Sequence, residues 1–375
     1  MEEFVFVVPC LLGLEGIISH ELRRLSLEPR AENGRVLFSG TLEDAARVNI
    51  NMRCGERVLL CLAEFTAKTF DELFEGVKAA PWEEIIPFDG QFPVKGYCLN
   101  SQLMSVSDCQ AIIKKAMADR LGGKYGCTRM PENGVRYQIQ FSLMKDRASI
   151  MLDTTGAGLH KRGYRAVSGG APIKETLAAA MIDIARWNSS VPFLDPMCGS
   201  GTIAIEAALY GKRRAPGVNR GFAMEGWERV REGMFTELRD EARAGERHDK
   251  FTVYASDIDP QMAELTRRNA LLAGVDDVVC VSTADAADVK SDDEGGIMFA
   301  NPPYGERLLD IKEAQELCAV LGHVWSGLRG WGACVITPDE SFERFFGRKA
   351  DKKRKLYNGM IKCDLYQYFR QKKPR

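Results

Sequence analysis

Four short segments hold residue types whose spacing could support chemistry at one place. Residues 193–208 read FLDPMCGSGTIAIEAA. A brief apolar strand ends in Asp195, and Pro196, Met197, Cys198, Gly199, Ser200, Gly201 and Thr202 then form a turn that opens a helix. The two glycines let backbone come close to a ligand, and a helix N-terminus offers unpaired N–H groups. The lysine of a phosphate loop is absent, and no third glycine completes GxGxxG. An acidic side chain directly before the turn would repel a pyrophosphate, so the loop suits a nucleoside-type cofactor without phosphate.

The second segment, VYASDID at 253–259, is a strand ending in acid. Asp257 is placed to bond ribose hydroxyls, with Asp259 as second choice; either could instead cap the helix that begins at Pro260. Asp285, in STADAADV, follows the next strand and could accept from an adenine amino group, or equally cap a helix. The fourth segment is IMFANPPYGERL at 297–308. Its strand delivers Asn301, Pro302, Pro303 and Tyr304 to the end at which open α/β sheets bind ligands. The Asn301 amide oxygen and the Pro302 carbonyl are two acceptors, and Tyr304 is a flat face for stacking. That set matches the exocyclic amine of a nucleobase.

These segments need a scaffold that brings strand ends together. The strand cores 192–194, 251–256, 278–282, 297–300 and 333–337 alternate with helical stretches, as in a parallel sheet with crossover helices. A helix over 173–187 precedes them, and 159–172 (LHKRGYRAVSGGAP) reads as a linker. Before it lies a mixed α/β module: strands at 4–8, 36–38, 58–65 and 92–100, and helices over 16–25, from Thr41 and over 71–80. A further helix runs from Ser107 to Leu121, ended by Gly122 and Gly123, and a hairpin spans 136–152. No catalytic cluster appears there, so a binding or structural role is expected.

The 375 residues carry 51 basic and 52 acidic side chains, for a net charge of −1. Nothing pulls the whole chain towards nucleic acid. Residues 344–375, however, hold 12 Lys and Arg against Asp351 and Asp364 alone, a candidate footprint for a polyanion. The 11 Cys include no CxxC pair and the 4 His are scattered, which fits reduced thiols and no metal. There is no signal-peptide pattern and no apolar run of membrane-spanning length, so a soluble, cytoplasmic protein without membrane contact is expected.

DPMCGSGT followed by NPPYGERL resembles the class I S-adenosylmethionine-dependent amino-methyltransferases. LHKRGYR, APIKETLAAAM, RAPGVNRGFAMEGW, SDIDP and KLYNGMIKCDLYQY extend the resemblance to the THUMP-domain 23S rRNA guanine-N2 methyltransferases. Members of that family have also been called N6-adenine-specific DNA methylases. The resemblance implies a Rossmann-like class I methyltransferase domain at 173–375, preceded by an α/β THUMP-containing RNA-binding module. In that division 1–43 is an N-terminal α/β segment, 44–155 the THUMP domain and 156–172 the linker. It implies methyl transfer to the exocyclic amine of a base in RNA, foremost guanine N2 in 23S rRNA or a pre-ribosomal particle. Adenine N6, or guanine in tRNA, is the same-class rival, and a non-catalytic RNA-binding assembly factor the different-class one.

The cofactor contacts implied are the loop 195–202, Asp257, Ile258, Asp285, Ala286 and His160, with Asn301–Tyr304 at the reacting amine. Candidate RNA phosphate contacts are Lys161, Arg162 and Arg165, then Arg213, Arg214 and Arg220 in a long charged insert, Tyr210–Lys250, between the first and second strands of the second half, and Lys352, Lys353, Arg354 and Lys355.

Overall fold

The computed structural model describes residues 2–165, 173–303 and 311–370. Tyr304 therefore lies outside the described residues. The chain divides into two units, the first made of 1–10, 18–159 and 220–241, the second of 11–17, 160–219 and 242–375.

In chain order the elements are β1 (Phe4–Pro9), α1 (Glu15–Arg24), β2 (Pro29–Glu32), β3 (Arg35–Gly40), α2 (Leu42–Asn51), β4 (Leu59–Thr66), α3 (Phe70–Lys78), β5 (Val94–Leu99), α4 (Val106–Tyr125), β6 (Ile139–Met144) and β7 (Arg147–Asp153). They continue with α5 (Glu175–Ile184), β8 (Phe193–Asp195), α6 (Thr202–Gly211), α7 (Met234–Ala244), β9 (Val253–Asp257), α8 (Pro260–Ala273), β10 (Val279–Thr283), β11 (Ile297–Ala300), α9 (Ile311–Gly327), β12 (Gly332–Thr337), α10 (Phe342–Phe346), β13 (Lys352–Asn358) and β14 (Ile361–Tyr368).

The first unit is built on a seven-stranded sheet in the order β2-β3-β1-β4-β7-β6-β5. Thr41 caps α2 through a full capping box with Asp44, as its sequence signals. The α4 boundaries differ from expectation at both ends. Ser105, two residues earlier than Ser107, accepts from the Asp108 amide, and the helix runs past Gly122 to end at Gly126, whose φ is +67°. Gly122 sits inside the helix because a Cβ there would lie 2.6 Å from the Cys127 carbonyl oxygen. That glycine marks a close approach of backbone, which a reading of Gly as helix terminator misplaces. Residues 220–241, the middle of the 210–250 stretch read from the sequence as an insert between strands, belong to this unit: the Ala223 and Met224 amides donate to the Thr155 and Thr154 carbonyls, and Trp227 stacks on Tyr137 with centroids 5.4 Å apart.

The second unit carries a sheet in the order β10-β9-β8-β11-β12-β14-β13. Strands β8 to β12 are parallel, and β14 enters antiparallel between β12 and β13. The basic C-terminal stretch is thus no separate tail: 352–368 form a β-hairpin, and the KKRK run is on the edge strand. Lysines on an edge strand discourage pairing with another chain, which gives this run a structural use. The core beneath packs Leu321, Trp331, Phe342, Phe346, Tyr366 and Tyr368 against β11 and β12.

Candidate active site

The parallel register puts three strand ends side by side. Asp195 pairs with Ala255 on β9, and Ile297 and Met298 of β11 pair with Phe193 and Leu194 of β8. Two residues beyond that level, Asp257 ends β9 on one flank, and Asn301 follows β11 on the other. This is the point where the sheet order reverses direction from β8, the position at which open α/β sheets bind ligands.

The 195–202 loop is held from below and from the side. The Cys198 amide donates to the Ser256 carbonyl at 2.9 Å, and the Gly199 amide donates to Asp257 Oδ2 at 2.8 Å. Two residues of α8 fix its carbonyls: Thr266 Oγ1 donates to Gly199 O at 2.8 Å and Asn269 Nδ2 to Ser200 O at 2.9 Å. Gly201 has φ +81°, and a Cβ there would lie 2.7 Å from Thr266 Cγ2. It also caps α6 with no side-chain hydrogen bond, so the first-turn amides of α6 stay available to a ligand. Thr266 and Asn269 are both fully buried. Their only sequence signal is a polar pair three residues apart on a helix, and the sequence reading missed them.

Asp195 is 1% exposed and, among the described residues, accepts only the Met197 amide, at 3.4 Å. Burial, with the Asp257 charge nearby adding to it, pushes its carboxyl up to about 7. Burial likewise pushes the Cys198 thiol far up, which leaves it a packing group and no nucleophile. Asp257 accepts from two amides, Gly199 and Asp259. Asp259 and Asp285 both act as caps, accepting from the Gln261 and Ala287 amides. The capping alternative weighed for each is thus realised. Ile258 is widely exposed, Ala286 is buried, and Pro196, Ser200 and Thr202 are buried.

Two buried polar atoms at these strand ends have no hydrogen-bond partner among the described residues: Asn301 Oδ1 and Ser256 Oγ. A buried acceptor left unmade costs about 1–3 kcal/mol, and such atoms in a native fold call for a ligand or an ordered water. Ser256 was not singled out from the sequence, although a serine before Asp257 in an apolar strand was its visible mark.

The basic candidates separate by burial. Arg162 is a correction: its side chain is 2% exposed and pairs with the fully buried Glu206, Nε–Oε1 3.2 Å and a second contact at 3.3 Å. Tyr164 donates to the same carboxylate at 3.1 Å. A guanidinium enclosed with its counter-ion has nothing to offer a phosphate. Arg165 contacts Thr202 Oγ1 and Glu175, Arg214 pairs with Glu246, and Arg220 donates to the Ala157 and Gly158 carbonyls. Lys353 pairs with Glu343 and lies 4.9 Å from the Tyr366 ring centroid, and Arg354 donates to the Gly13 carbonyl. Lys161, Arg213, Lys352 and Lys355 are exposed, while His160 is half-buried with its carbonyl taking the Arg162 amide. Among the described residues no cluster of His, Cys, Asp or Glu could hold a metal. No helix of the described chain is long and apolar enough to cross a membrane.

Comparison with known proteins gives this geometry a context. The family model described as "RMKL-like, methyltransferase domain" matches residues 162–367, "RlmL ferredoxin-like domain" matches 5–59 and "THUMP domain" matches 67–153. YpsC of Bacillus subtilis (strain 168) is 43% identical over 377 residues, covering 100% of this chain and 98% of YpsC. The ribosomal RNA large subunit methyltransferase K/L of Psychromonas ingrahamii (strain DSM 17664 / CCUG 51855 / 37) is 35% identical over 374 residues, covering 97% of this chain. The chain spans only about half of that relative, 50% of its length. The crystal structure of SMU.472 complexed with SAH superposes with a TM-score of 0.94 at 43% identity, each chain covered completely. The open glycine turn, the acidic end of β9 and the two orphaned oxygens fit a nucleoside cofactor and an amine acceptor. The chain belongs to the RMKL-like, THUMP-domain family of S-adenosylmethionine-dependent methyltransferases.

Proposed function

We propose that this protein methylates the exocyclic N2 amine of a guanine in large-subunit ribosomal RNA. The RNA part of this reading is supported by the THUMP domain and by the name of the K/L relatives. The observation that carries the amine part is the unpartnered Asn301 Oδ1 at the end of β11, beside the Pro302 carbonyl.

S-adenosylmethionine supplies an electrophilic methyl carbon. The loop 195–202 and Asp257 hold the cofactor, with Ile258, Asp285 and Ala286 towards its base. Asn301 Oδ1 accepts one N–H of the target amine and the Pro302 carbonyl accepts the other. Holding both hydrogens turns the nitrogen lone pair, which otherwise delocalises into the ring, along one direction. As positive charge develops on that nitrogen, both oxygens bind its hydrogens more strongly, so the interaction favours the transition state. The target base must leave its stack to reach this depth, and Tyr304 is the proposed face that receives it. Lys161, Arg213, Lys352 and Lys355, all exposed, are the proposed phosphate contacts.

The test is to incubate the protein with radiolabelled S-adenosylmethionine and, in parallel reactions, unmodified 23S rRNA, tRNA and DNA, then digest and identify the labelled nucleoside. N2-methylguanosine is expected. N6-methyladenosine would overturn the base, and labelling of DNA or tRNA alone would overturn the ribosomal substrate.

A further inference from the structure

The second sheet has a hollow of about 270 Å³ at the end away from the candidate active site. Ile297 and Gly332, the first residues of β11 and β12, open onto it, whereas Asn301 follows the last residue of β11. At about 3.3 Å per strand residue, the two ends of β11 lie about 13 Å apart.

The hollow is lined by groups of one sign on an apolar wall. Arg186 and Arg370 border it and are exposed, Trp187, Cys334 and Phe369 supply apolar surface, and Gln367 is its buried polar group. Among the described residues no carboxylate lines it. Gln367 stands across from Cys334 in the β12–β14 register, so both side chains leave the same face of the sheet. Their neighbours Tyr366 and Tyr368 turn to the other face and enter the core. Gln367 is 3% exposed, and its Nε2 has no hydrogen-bond partner among the described residues. A buried donor left unmade costs about 1–3 kcal/mol, so this amide calls for an acceptor in the hollow.

The two arginines are held there by the chain around them. Arg186 follows α5 with φ +52°, a conformation that glycine usually takes at a helix end. The last carbonyls of α5 are engaged: Met181, Ile182 and Asp183 accept from the Ala185, Trp187 and Arg186 amides. A Cβ on Gly332 would lie 3.7 Å from Arg370 Cγ, which sets the Arg370 stem against the start of β12. Partial burial holds the Arg370 guanidinium below its ordinary value. Among the described residues neither arginine pairs with a carboxylate. Asp351, which accepts the Phe369 amide at 2.7 Å, is itself held by Arg348 at 3.1 Å.

We infer that this hollow is a second ligand site, for a small organic anion carried on a flat apolar body. Its carboxylate or phosphate head meets Arg186, Arg370 and the Gln367 amide, and its body lies against Trp187 and Phe369. Guanidinium groups hold such heads through paired, charge-assisted hydrogen bonds. A cation would be repelled, and the ammonium of an amino acid would find no acid. The volume falls just below the range of drug-sized pockets, about 300–1,000 Å³, so a single-ring ligand is the size that fits.

The test uses the full chain with S-adenosylhomocysteine at saturation, so that the catalytic end is filled, and reads binding by ligand-observed NMR titration. The probes are benzoate and phenyl phosphate, with benzyl alcohol as the neutral control of like shape. At least one anion should bind, about tenfold or more tighter than the alcohol, and the tighter anion names the head group. Arg186→Gly and Gln367→Leu should each weaken that anion about tenfold. Both should melt at or above the wild-type temperature, because glycine suits the φ of +52° and leucine leaves no unmade donor. Arg186→Gly also keeps the test open should Gln367→Leu fail to fold. No binding of either anion, equal binding of the alcohol, or wild-type affinity in the folded variants would overturn the site.

Discussion

The Gly199 amide donates to Asp257 Oδ2 at 2.8 Å, joining the loop after β8 to the end of β9 across 58 residues of sequence. One carboxylate thereby sets the shape of the glycine turn while its other oxygen takes the Asp259 amide. Loop shape and strand spacing are coupled through that single side chain.

Asp257→Ala removes this tie together with the acceptor proposed for the ribose. A hydrogen bond to a charged group contributes about 1.5–3 kcal/mol, so affinity for S-adenosylhomocysteine should fall about 10- to 100-fold. Isothermal titration calorimetry reads this directly, and unchanged affinity would remove Asp257 from the cofactor site.

Asn301→Ala deletes the orphaned acceptor and leaves the cofactor loop intact. Single-turnover methyl transfer should drop at least about 100-fold, the scale seen when one preorganised polar group is lost from a transition state. Cofactor affinity should stay within a few-fold. Wild-type turnover in this variant would show that the amine sits elsewhere.

The Asp195 carboxyl, pushed up to about 7 by burial, predicts a definite pH dependence. Between its ordinary value near 4 and about 7, the folded chain keeps a proton that the unfolded chain has lost. Stability in the absence of cofactor should therefore fall as pH rises through that window, by up to about 4 kcal/mol. Asp195→Asn should remove this component. Urea midpoints at pH 5 and pH 8 for both proteins check it, and an identical pH slope in the two would refute it.

Arg162→Ala strands the carboxylate of Glu206 in the interior. Breaking a buried pair in this way typically costs about 3–5 kcal/mol, so a large loss of thermal stability is expected. The salt dependence of RNA binding should be unaltered in whatever remains folded. A reduced salt slope at wild-type stability would return Arg162 to the RNA surface.

Much of this arrangement was legible because short-range rules generate it. Thr41 and Asp44 are three residues apart and cap α2 wherever they occur. The cores of β8 to β12 are brief apolar runs between helices, and the parallel sheet follows from that alternation. Gly199, Gly201, Asp257 and Asn301 stand out because glycine turns, acidic strand ends and NPPY are local patterns.

What tertiary structure alone decided is which polar groups are already spoken for. Arg162 and Lys161 are adjacent in the chain, yet one is enclosed with Glu206 and the other exposed. Residues 220–241 read as an insert in the second half and fold into the first unit, where Trp227 finds Tyr137. The KKRK run reads as a charged tail and forms an edge strand, because β14 supplies its ladder from the far side of a turn. Thr266, Asn269 and Ser256 gain their roles only when α8 and β9 meet the loop after β8. Local pattern specifies which residues can form a turn, a cap or a strand. Long-range pairing specifies which charges are neutralised and which oxygens are left waiting, since burial and partnership are properties of the packed chain.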